Sequence, residues 1–283
     1  MYCPMIIALC PNEEKKHSFD LALKIQEYFS RHGVTVVAED AKASRIGAKP
    51  LSSVDPKKIK FLIAMGGDGT ILRILHQFSH LDAAIVGINL GYLGFMADVP
   101  VSDLFPSLAD LLEGSYAIEE RVMISASISD RKFLAANDIV LHRAKNPSLV
   151  EMAVYVNGFY FNAFLGDGLI VATPNGSTAY SLAAGGPILT PNLDALVLTP
   201  ICAHTISNRP IVLSADHEIE IQYLSETGTS IEVRADGLDA AELRTKEFCK
   251  ITKSAKKFKL VKLHRTDYFS TLRNKLGWSG KLP

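Results

Sequence analysis

The chain has 283 residues, which is enough for one large domain or two smaller ones with a sizeable core. Its 30 basic and 30 acidic residues cancel, so the composition gives no support for a nucleic-acid partner or a polybasic membrane surface. The four cysteines are scattered, and no apolar run reaches the roughly 18 residues that span a bilayer. The sequence therefore predicts a cytoplasmic protein with free thiols.

The first hundred residues alternate between strand and helix patterns. Four short apolar runs predict buried strands: "MIIALC" from Met5, "VTVVAE" from Val34, "KFLIAM" from Lys60 and "AAIVGIN" from Ala83. Between the first two, Asn12 is predicted to cap a helix that Gly33 ends. Strands separated by helices favour an α/β domain with a mostly parallel sheet.

After about residue 120 the pattern changes to short alternating runs. Asn157-Gly158 and Asp236-Gly237 interrupt them as turn signals, which is typical of an antiparallel β-sandwich. We expect an α/β domain over residues 1–100 and an all-β sandwich domain over residues 101–264. The tail, 265–283, contains the helical pattern "DYFSTLRNKLGW" and is expected to pack back on the α/β domain.

The segment "AMGGDGTILR" places an acid, Asp68, among three glycines, directly after the "KFLIAM" strand. The carboxyl ends of parallel strands, followed by a helix N-terminus predicted near Thr70, form a phosphate-binding position. The spacing is neither that of a P-loop nor that of the dinucleotide fingerprint. An acid beside phosphates can hold Mg²⁺ or accept the proton of an attacking hydroxyl. Alternatively, Asp68 caps the helix.

Two further segments carry polar side chains among small residues. In "AANDIVLHR", Asn137 and Asp138 lie side by side at a strand start, where they either bind the hydroxyls of a ribose or form a turn. In "FLGDGLIVATPNGSTAYSLAAGGPIL", Ser177 or Thr178 is predicted to cap a short helix, and Tyr180 offers an aromatic face to a flat heterocycle. The alternative for this segment is an ordinary hairpin and helix cap.

Together, "GGDGT", "NDIVLHR" and "GDGLIVATPNGSTAYSLAAGGP" closely resemble the NAD kinase family, which phosphorylates the 2′-hydroxyl of the adenosine ribose of NAD. The resemblance extends to "INLGYLGFMAD" and "LRNKLGW" and so covers most of the chain. It implies that Asp68 is the catalytic acid-base residue. It also implies a set of residues that contact the dinucleotide substrate: Gly69, Arg73, Asn137, Asp138, Asp167, Thr178, Ala179, Tyr180, Ser181 and Ala183.

The resemblance further implies ATP as the phosphoryl donor, Mg²⁺ as the cofactor and assembly into homo-oligomers, either dimers or tetramers. The resemblance does not indicate which residues bind the metal ion. The sequence departs from the family pattern at four positions: Asp138 replaces a Glu, Leu165 an Arg, Ala183 a Ser and Leu238 a Gln. Each change shortens or removes a polar contact.

Two other functions remain open at the level of sequence. The first is a lipid kinase of the diacylglycerol type, because the "GGDGT" motif is shared with such kinases. A lipid kinase has no use for the segments around Asn137 and Tyr180. The second is a module that senses NAD without reacting with it, against which the acid at position 68 argues.

Overall fold

The computed structural model describes residues 5–204, 208–225, 229–263, 267–278 and 280. Its helices are α1 Ser18–Arg31, α2 Asp40–Ala43, α3 Asp68–Gln77, α4 Leu104–Glu113, α5 Tyr180–Ala183 and α6 Tyr268–Leu276. Its strands are β1 Ile6–Pro11, β2 Thr35–Ala38, β3 Lys49–Pro50, β4 Ile59–Gly66, β5 Ala84–Asn89, β6 Val99–Pro100, β7 Tyr116–Ile128, β8 Arg131–Ala135, β9 Asp138–His142, β10 Val150–Val156, β11 Phe159–Gly166, β12 Gly168–Ala172, β13 Ala195–Ile201, β14 Ile211–Ser214, β15 Ile219–Tyr223, β16 Ile231–Ala235, β17 Asp239–Leu243 and β18 Phe248–Leu263.

The chain forms two compact units. The first comprises residues 1–119 and 259–283, and the second comprises residues 120–258. The sequence analysis divided the chain at 100/101 and 264/265, so the first unit takes α4 and the last residues of β18 in addition. Of the tail predicted as 265–283, the structure describes 267–278 and residue 280, and α6 lies within it.

The first unit contains a parallel sheet in the order β3-β2-β1-β4-β5. β6 and the end of β18 also pair with β5 in parallel. Apolar side chains of these strands pack against α1, where Ile25 and Phe29 are fully buried. The predicted parallel α/β arrangement is confirmed. All carboxyl ends of the strands lie along one edge of this sheet, which is where α/β proteins bind their ligands.

The prediction that Asn12 caps the first helix is wrong. Helix α1 begins at Ser18, and its N-cap residue is His17. The side chain of Asn12 instead accepts a hydrogen bond from the main-chain N–H of Glu14 (3.0 Å) and donates one to Thr70 Oγ1 (2.9 Å). Asn12 therefore forms an Asx turn instead of a helix cap. Asparagine side chains commonly serve either purpose.

The second unit is the predicted antiparallel β-sandwich. One sheet has the order β14-β13-β12-β9-β16-β17, and β11-β10-β15 with the start of β18 form another antiparallel sheet. Alternate apolar residues of both sheets, such as Leu141 of β9 and Met152 of β10, meet in one core. The hairpin turns at Asn157-Gly158 and Asp236-Gly237 adopt positive φ at both residues, as the turn signals predicted.

Candidate active site

The glycine turn joins β4 to α3 at the carboxyl edge of the parallel sheet. β4 ends at Gly66, Gly67 is the N-cap residue, and α3 begins at Asp68, two residues before the predicted start. A Cβ atom on Gly66 would lie 2.2 Å from Thr70 Oγ1, so this position requires glycine. No atom lies within 4 Å of the corresponding position on Gly69, which leaves open space beside Asp68.

The carboxylate of Asp68 turns away from its own helix and accepts hydrogen bonds from a loop that follows β5. Phe95 N donates to Oδ2 (2.9 Å), and Met96 N and Ala97 N both donate to Oδ1 (3.0 Å each). The alternative that Asp68 caps the helix is wrong, since Gly67 is the cap and no side chain bonds it. A carboxylate has about four acceptor sites, so Oδ2 retains capacity for a further donor.

Arg73, one turn into α3, forms a two-point ion pair with Glu14. Nη1 lies 3.0 Å from Oε1 and Nη2 lies 3.2 Å from Oε2. Hydrogen bonding to Arg73 lowers the pKa of the Glu14 carboxyl. Both side chains line a cavity of about 210 Å³ together with Asn12 and Thr70. The predicted contact of Arg73 with substrate stays a prediction.

In the second unit, the two other sequence segments come together. Asp138 pairs with Ala172 across β9 and β12, and Asn175 Nδ2 donates to Asn137 Oδ1 (2.5 Å). A Cβ atom on Gly176 would lie 2.1 Å from the carbonyl oxygen of Asn137, so only glycine permits this approach. The fold thus fixes the Asn137-Asp138 pair against the segment that precedes Tyr180.

Asp236 organises the same region, which the sequence analysis did not foresee. Its Oδ1 accepts hydrogen bonds from the N–H groups of Asn137 (2.7 Å) and Asp138 (3.1 Å), and its Oδ2 accepts one from Ala136 N (2.9 Å). The sequence signal was the Asp-Gly turn, which predicted the β16–β17 hairpin. The same aspartate also anchors a strand start about 100 residues earlier in the chain.

Asp138 is a buried carboxylate, with only 5% of its surface exposed. Burial, and then the nearby negative charge of Asp236, raise its pKa from 3.8 to about 7. A buried carboxylate destabilises the folded protein unless it is paired. A strongly raised pKa beside polar groups is typical of functional sites.

We expect the cost of burying Asp138 to depend on pH. In the folded protein the Asp138 carboxyl keeps its proton up to about pH 7, whereas in the unfolded chain it loses the proton near pH 3.8. Folding therefore takes up a proton in this window, and stability falls as the pH rises through it. Relative to wild type, Asp138→Asn should gain on the order of 2–4 kcal/mol between pH 4 and pH 8. Urea unfolding of both proteins at the two pH values measures this difference. A constant difference would contradict the burial argument.

Tyr180 and Asp167 lie in the same neighbourhood. Burial raises the pKa of the Tyr180 phenol first, and the negative charges of Cys202, Asp167 and Asp138 raise it further. Tyr180 is 42% exposed. The Asp167 carboxylate pairs with Arg143 Nε at 2.7 Å.

The run from Thr178 to Ala183 contains α5, but neither Ser177 nor Thr178 caps it. The N-cap residue is Ala179, and no side chain bonds it, so that prediction is wrong. Ser177 Oγ instead donates to Pro174 O (2.7 Å), and Thr178 Oγ1 donates to Asn175 O (3.2 Å). Both hydroxyls stabilise the preceding 3₁₀ turn at Gly176–Thr178.

Ser181 is fully buried, and its hydroxyl bonds Thr199 Oγ1 at 2.8 Å. Gly186 packs against this pair, since a Cβ atom there would lie 2.3 Å from Ser181 Oγ. Ala183, Leu165 and Leu238 are exposed. Ser181 thus holds α5 against β13 while the more open members of the run face solvent.

Neither a metal cage nor a membrane helix is found in the described part of the chain. Within it, no group of three or more His, Cys, Asp or Glu side chains is arranged to hold a metal ion. None of its helices is both long and apolar enough to cross a membrane.

In the first unit, three main-chain N–H groups hold a carboxylate in a glycine-rich turn at the sheet edge. In the second unit, a buried carboxylate lies among polar groups. Both are features of a nucleotide-dependent phosphotransferase. The model of the ATP-NAD kinase N-terminal domain matches residues 7–116, and that of the ATP-NAD kinase C-terminal domain matches residues 136–263. The chain belongs to the NAD kinase family.

Individual relatives agree with this assignment. The chain is 50% identical over 278 residues to the NAD kinase of Protochlamydia amoebophila, covering 98% of this chain and 99% of that protein. It is 36% identical over 279 residues to the NAD kinase of Caldanaerobacter subterraneus, covering 95% and 98%.

Two solved structures are similar. An Archaeoglobus fulgidus NAD kinase in complex with ATP aligns with a TM-score of 0.75 and 27% identity, covering 97% of this chain and 99% of that one. Yeast NADH kinase complexed with NADH aligns with a TM-score of 0.86 over 99% of this chain and 89% of that one. At 21% identity the yeast enzyme is evidence for the fold alone.

Proposed function

We propose that this protein transfers the γ-phosphoryl group of ATP to the 2′-hydroxyl of the adenosine ribose of NAD and so forms NADP. Family membership and relatives named NAD kinase support this reaction. The observation that carries the proposal is the geometry of Asp68. Three main-chain donors fix its carboxylate beside open space, and Oδ2 keeps room for a hydroxyl proton.

In the proposed step, Asp68 Oδ2 accepts the proton of the 2′-hydroxyl as the ribose oxygen bonds to the γ-phosphorus. The bond between the γ-phosphorus and the β,γ-bridging oxygen breaks, and ADP leaves with the electron pair. Free N–H groups at the start of α3 stabilise negative charge on the phosphates. An attacking sugar hydroxyl needs a base, which accounts for an acid in a phosphate-binding turn.

Mg²⁺ is the proposed cofactor. In phosphoryl transfer this ion neutralises charge on the β- and γ-phosphates. Mg²⁺ usually binds through substrate phosphates and one or two carboxylates rather than an all-protein cage. The residues of the glycine turn fit an ion carried by ATP, with Asp68 as the carboxylate that would contact it.

NAD recognition is assigned to the second unit. The buried Asp138 carboxylate suits a pair of ribose hydroxyls, and the Asn137 amide can donate and accept beside it. Tyr180 is 42% exposed, and its aromatic ring suits stacking on a planar ring. For the other members of the run, we propose that Thr178, Ala179 and Ala183 contact the ligand and that Ser181 orients them from the core.

One labelling experiment separates the alternatives. The protein is incubated with Mg²⁺, γ-labelled ATP, NAD and vesicles that contain diacylglycerol, and label is measured in NADP and in lipid. We expect label in NADP alone. Label in lipid would favour the lipid kinase, and NAD binding without label transfer would favour the sensing module.

We also propose that the protein forms a homo-oligomer, a dimer or tetramer, through the β11 edge. Phe159 is 80% exposed and Tyr160 is 61% exposed, and β11 ends its sheet. The strand contains no charged residue or proline of the kind that protects free edges. Apolar edge strands pair readily with another chain, and in a native protein they are normally covered.

Light scattering at micromolar concentration is expected to give a mass of at least two chains for wild type. Phe159→Asp with Tyr160→Lys should reduce the mass, whereas Leu23→Asp on the exposed face of α1 should leave it unchanged. A fully active wild-type monomer would overturn the proposal.

The cytoplasm is the proposed compartment. Cys10, Cys202 and Cys249 are free thiols in the structure, and Cys202 is exposed. An exposed free thiol suits a reducing compartment. Cell fractionation with detection of the protein tests this assignment.

A further inference from the structure

The loop that holds Asp68 has little freedom to move. A Cβ atom on Gly94 would lie 2.1 Å from Asp68 Oδ1, and Gly94 N donates to Ala97 O across a tight turn (3.1 Å). On the other side, a Cβ atom on Gly87 of β5 would lie 2.7 Å from Ala97 Cα. Because the loop packs this closely, any displacement of it displaces the carboxylate.

The C-terminal helix packs on the same loop within the first unit. The Tyr268 ring lies 6.0 Å from the ring of Phe95, and Lys275 Nζ lies 5.3 Å from the Phe95 centroid. These are an aromatic pair and a cation–π contact, both of which stabilise the packing of α6 on the loop. Phe95 is also the residue whose N–H binds Asp68 Oδ2, the oxygen proposed to receive the proton.

A second contact from the C-terminal part of the chain reaches the other end of the loop. Lys262 of β18 forms an ion pair with Asp98, whose side chain is buried. Asp98 directly follows Ala97, which donates to Asp68 Oδ1. Helix α6 and Lys262 therefore contact the loop at Phe95, the first residue whose amide binds the carboxylate, and at Asp98, the residue after the last one.

The helix itself is well defined at both ends. Asp267 accepts a hydrogen bond from Ser270 N (2.9 Å) as its N-cap, and Gly277 ends it in the left-handed conformation. Leu272 is buried, which fixes the face that α6 turns inward. A capped helix with a buried anchor is a rigid support for the Tyr268 and Lys275 side chains.

We propose that α6 sets the position of the catalytic base and that Tyr268 and Lys275 are positioning residues that act through Phe95. The inference rests on the proposed role of Asp68. The C-terminal helix then serves catalysis as well as the stability of the first unit. Its effect is expected in turnover, because the residues proposed to recognise NAD belong to the second unit whereas α6 belongs to the first.

The test compares Tyr268→Ala with Tyr268→Phe, which keeps the ring over Phe95. Misplacement of a catalytic group by about 1 Å costs up to roughly 100-fold in rate. We expect Tyr268→Ala to lower kcat about tenfold, to leave the KM for NAD within about twofold, and Tyr268→Phe to restore kcat. Lys275→Met should give a smaller loss. Arg273→Ala on the same helix is the control, since Arg273 is exposed and the described ring and cation–π contacts of Phe95 are with Tyr268 and Lys275.

A double-variant cycle separates positioning from general destabilisation. In an Asp68→Asn background, Tyr268→Ala should cause no further loss of kcat, because the group it positions is absent. An equal loss in both backgrounds, or unchanged kcat in a folded Tyr268→Ala protein, would overturn the proposal. If circular dichroism shows that Tyr268→Ala is unfolded, Tyr268→Leu and Lys275→Met take its place. A wild type that forms no NADP would instead refute the proposed reaction.

Discussion

Asp68→Asn is expected to lower kcat by about 10²–10⁴-fold, the usual contribution of a general base. The asparagine side chain has the same shape but cannot accept the hydroxyl proton. The structure adds a second effect. Both carboxylate oxygens of Asp68 accept N–H donors, so the amide NH₂ must face a donor on one side. Losing that bond typically costs about 1–3 kcal/mol of stability. Turnover should nevertheless fall far more than NAD affinity.

Three measurements show how the Asp68→Asn variant affects the protein. Thermal unfolding shows that it is folded, calorimetry gives its affinity for NAD, and a magnesium titration separates two roles of the carboxylate. Near-normal turnover with unchanged magnesium dependence would exclude Asp68 as the base. Recovery of activity only at high magnesium would show that Asp68 acts by holding the metal ion and not as the base.

Asp138→Ala is expected to raise the KM for NAD strongly and to change the KM for ATP little. If the buried carboxylate accepts the ribose hydroxyls as proposed, removing it leaves them without partners. The cost is then about 1–3 kcal/mol, or roughly 5- to 150-fold in affinity. The same variant should not weaken the fold at neutral pH, because the buried charge is itself destabilising there. A loss of affinity without a loss of stability is the signature of a binding residue.

Asp130→Ala is the matched control for Asp138→Ala. Asp130 lies in the same unit, in the exposed turn between β7 and β8. Its removal should change neither constant. If Asp138→Ala weakens NAD and ATP equally, or weakens neither, the Asn137-Asp138 pair is only a structural turn.

The sequence predicted features that depend on local pattern. The four strands of the α/β domain and the alternation of the sandwich strands follow from hydrophobic periods of neighbouring residues. The glycine turn at the edge of the sheet follows from a strand-turn-helix pattern within ten residues. Such local patterns predicted where Asp68 lies, but they did not predict which N–H groups bind its carboxylate.

The contacts that hold the candidate sites join residues distant in sequence, and no local pattern encodes them. Asp68 binds amides 27 to 29 residues later, and Asp236 binds amides 98 to 100 residues earlier. Similarly, Asn12 forms a turn and bonds Thr70 instead of capping α1. Tertiary contacts determine which of several local uses of Asp or Asn is realised.

The roles of individual glycines also depend on tertiary contacts that the local sequence does not show. Gly94 looks like one of several small residues in "INLGYLGFMAD", yet the absence of its side chain is what allows the loop to approach Asp68. Ser181 is a similar case, because the sequence does not show that its hydroxyl bonds Thr199 in the core. Its predicted contact with substrate stays a prediction. Both cases depend on contacts that only the packed structure shows.

The most direct test of the central claim is a coupled assay of the purified protein with NAD and Mg-ATP, in which an NADP-specific dehydrogenase reports the product. The account predicts NADP formation that requires both substrates, with one ADP released for each NADP formed. Consumption of ATP without NADP, or no reaction with NAD in a folded protein, would contradict it.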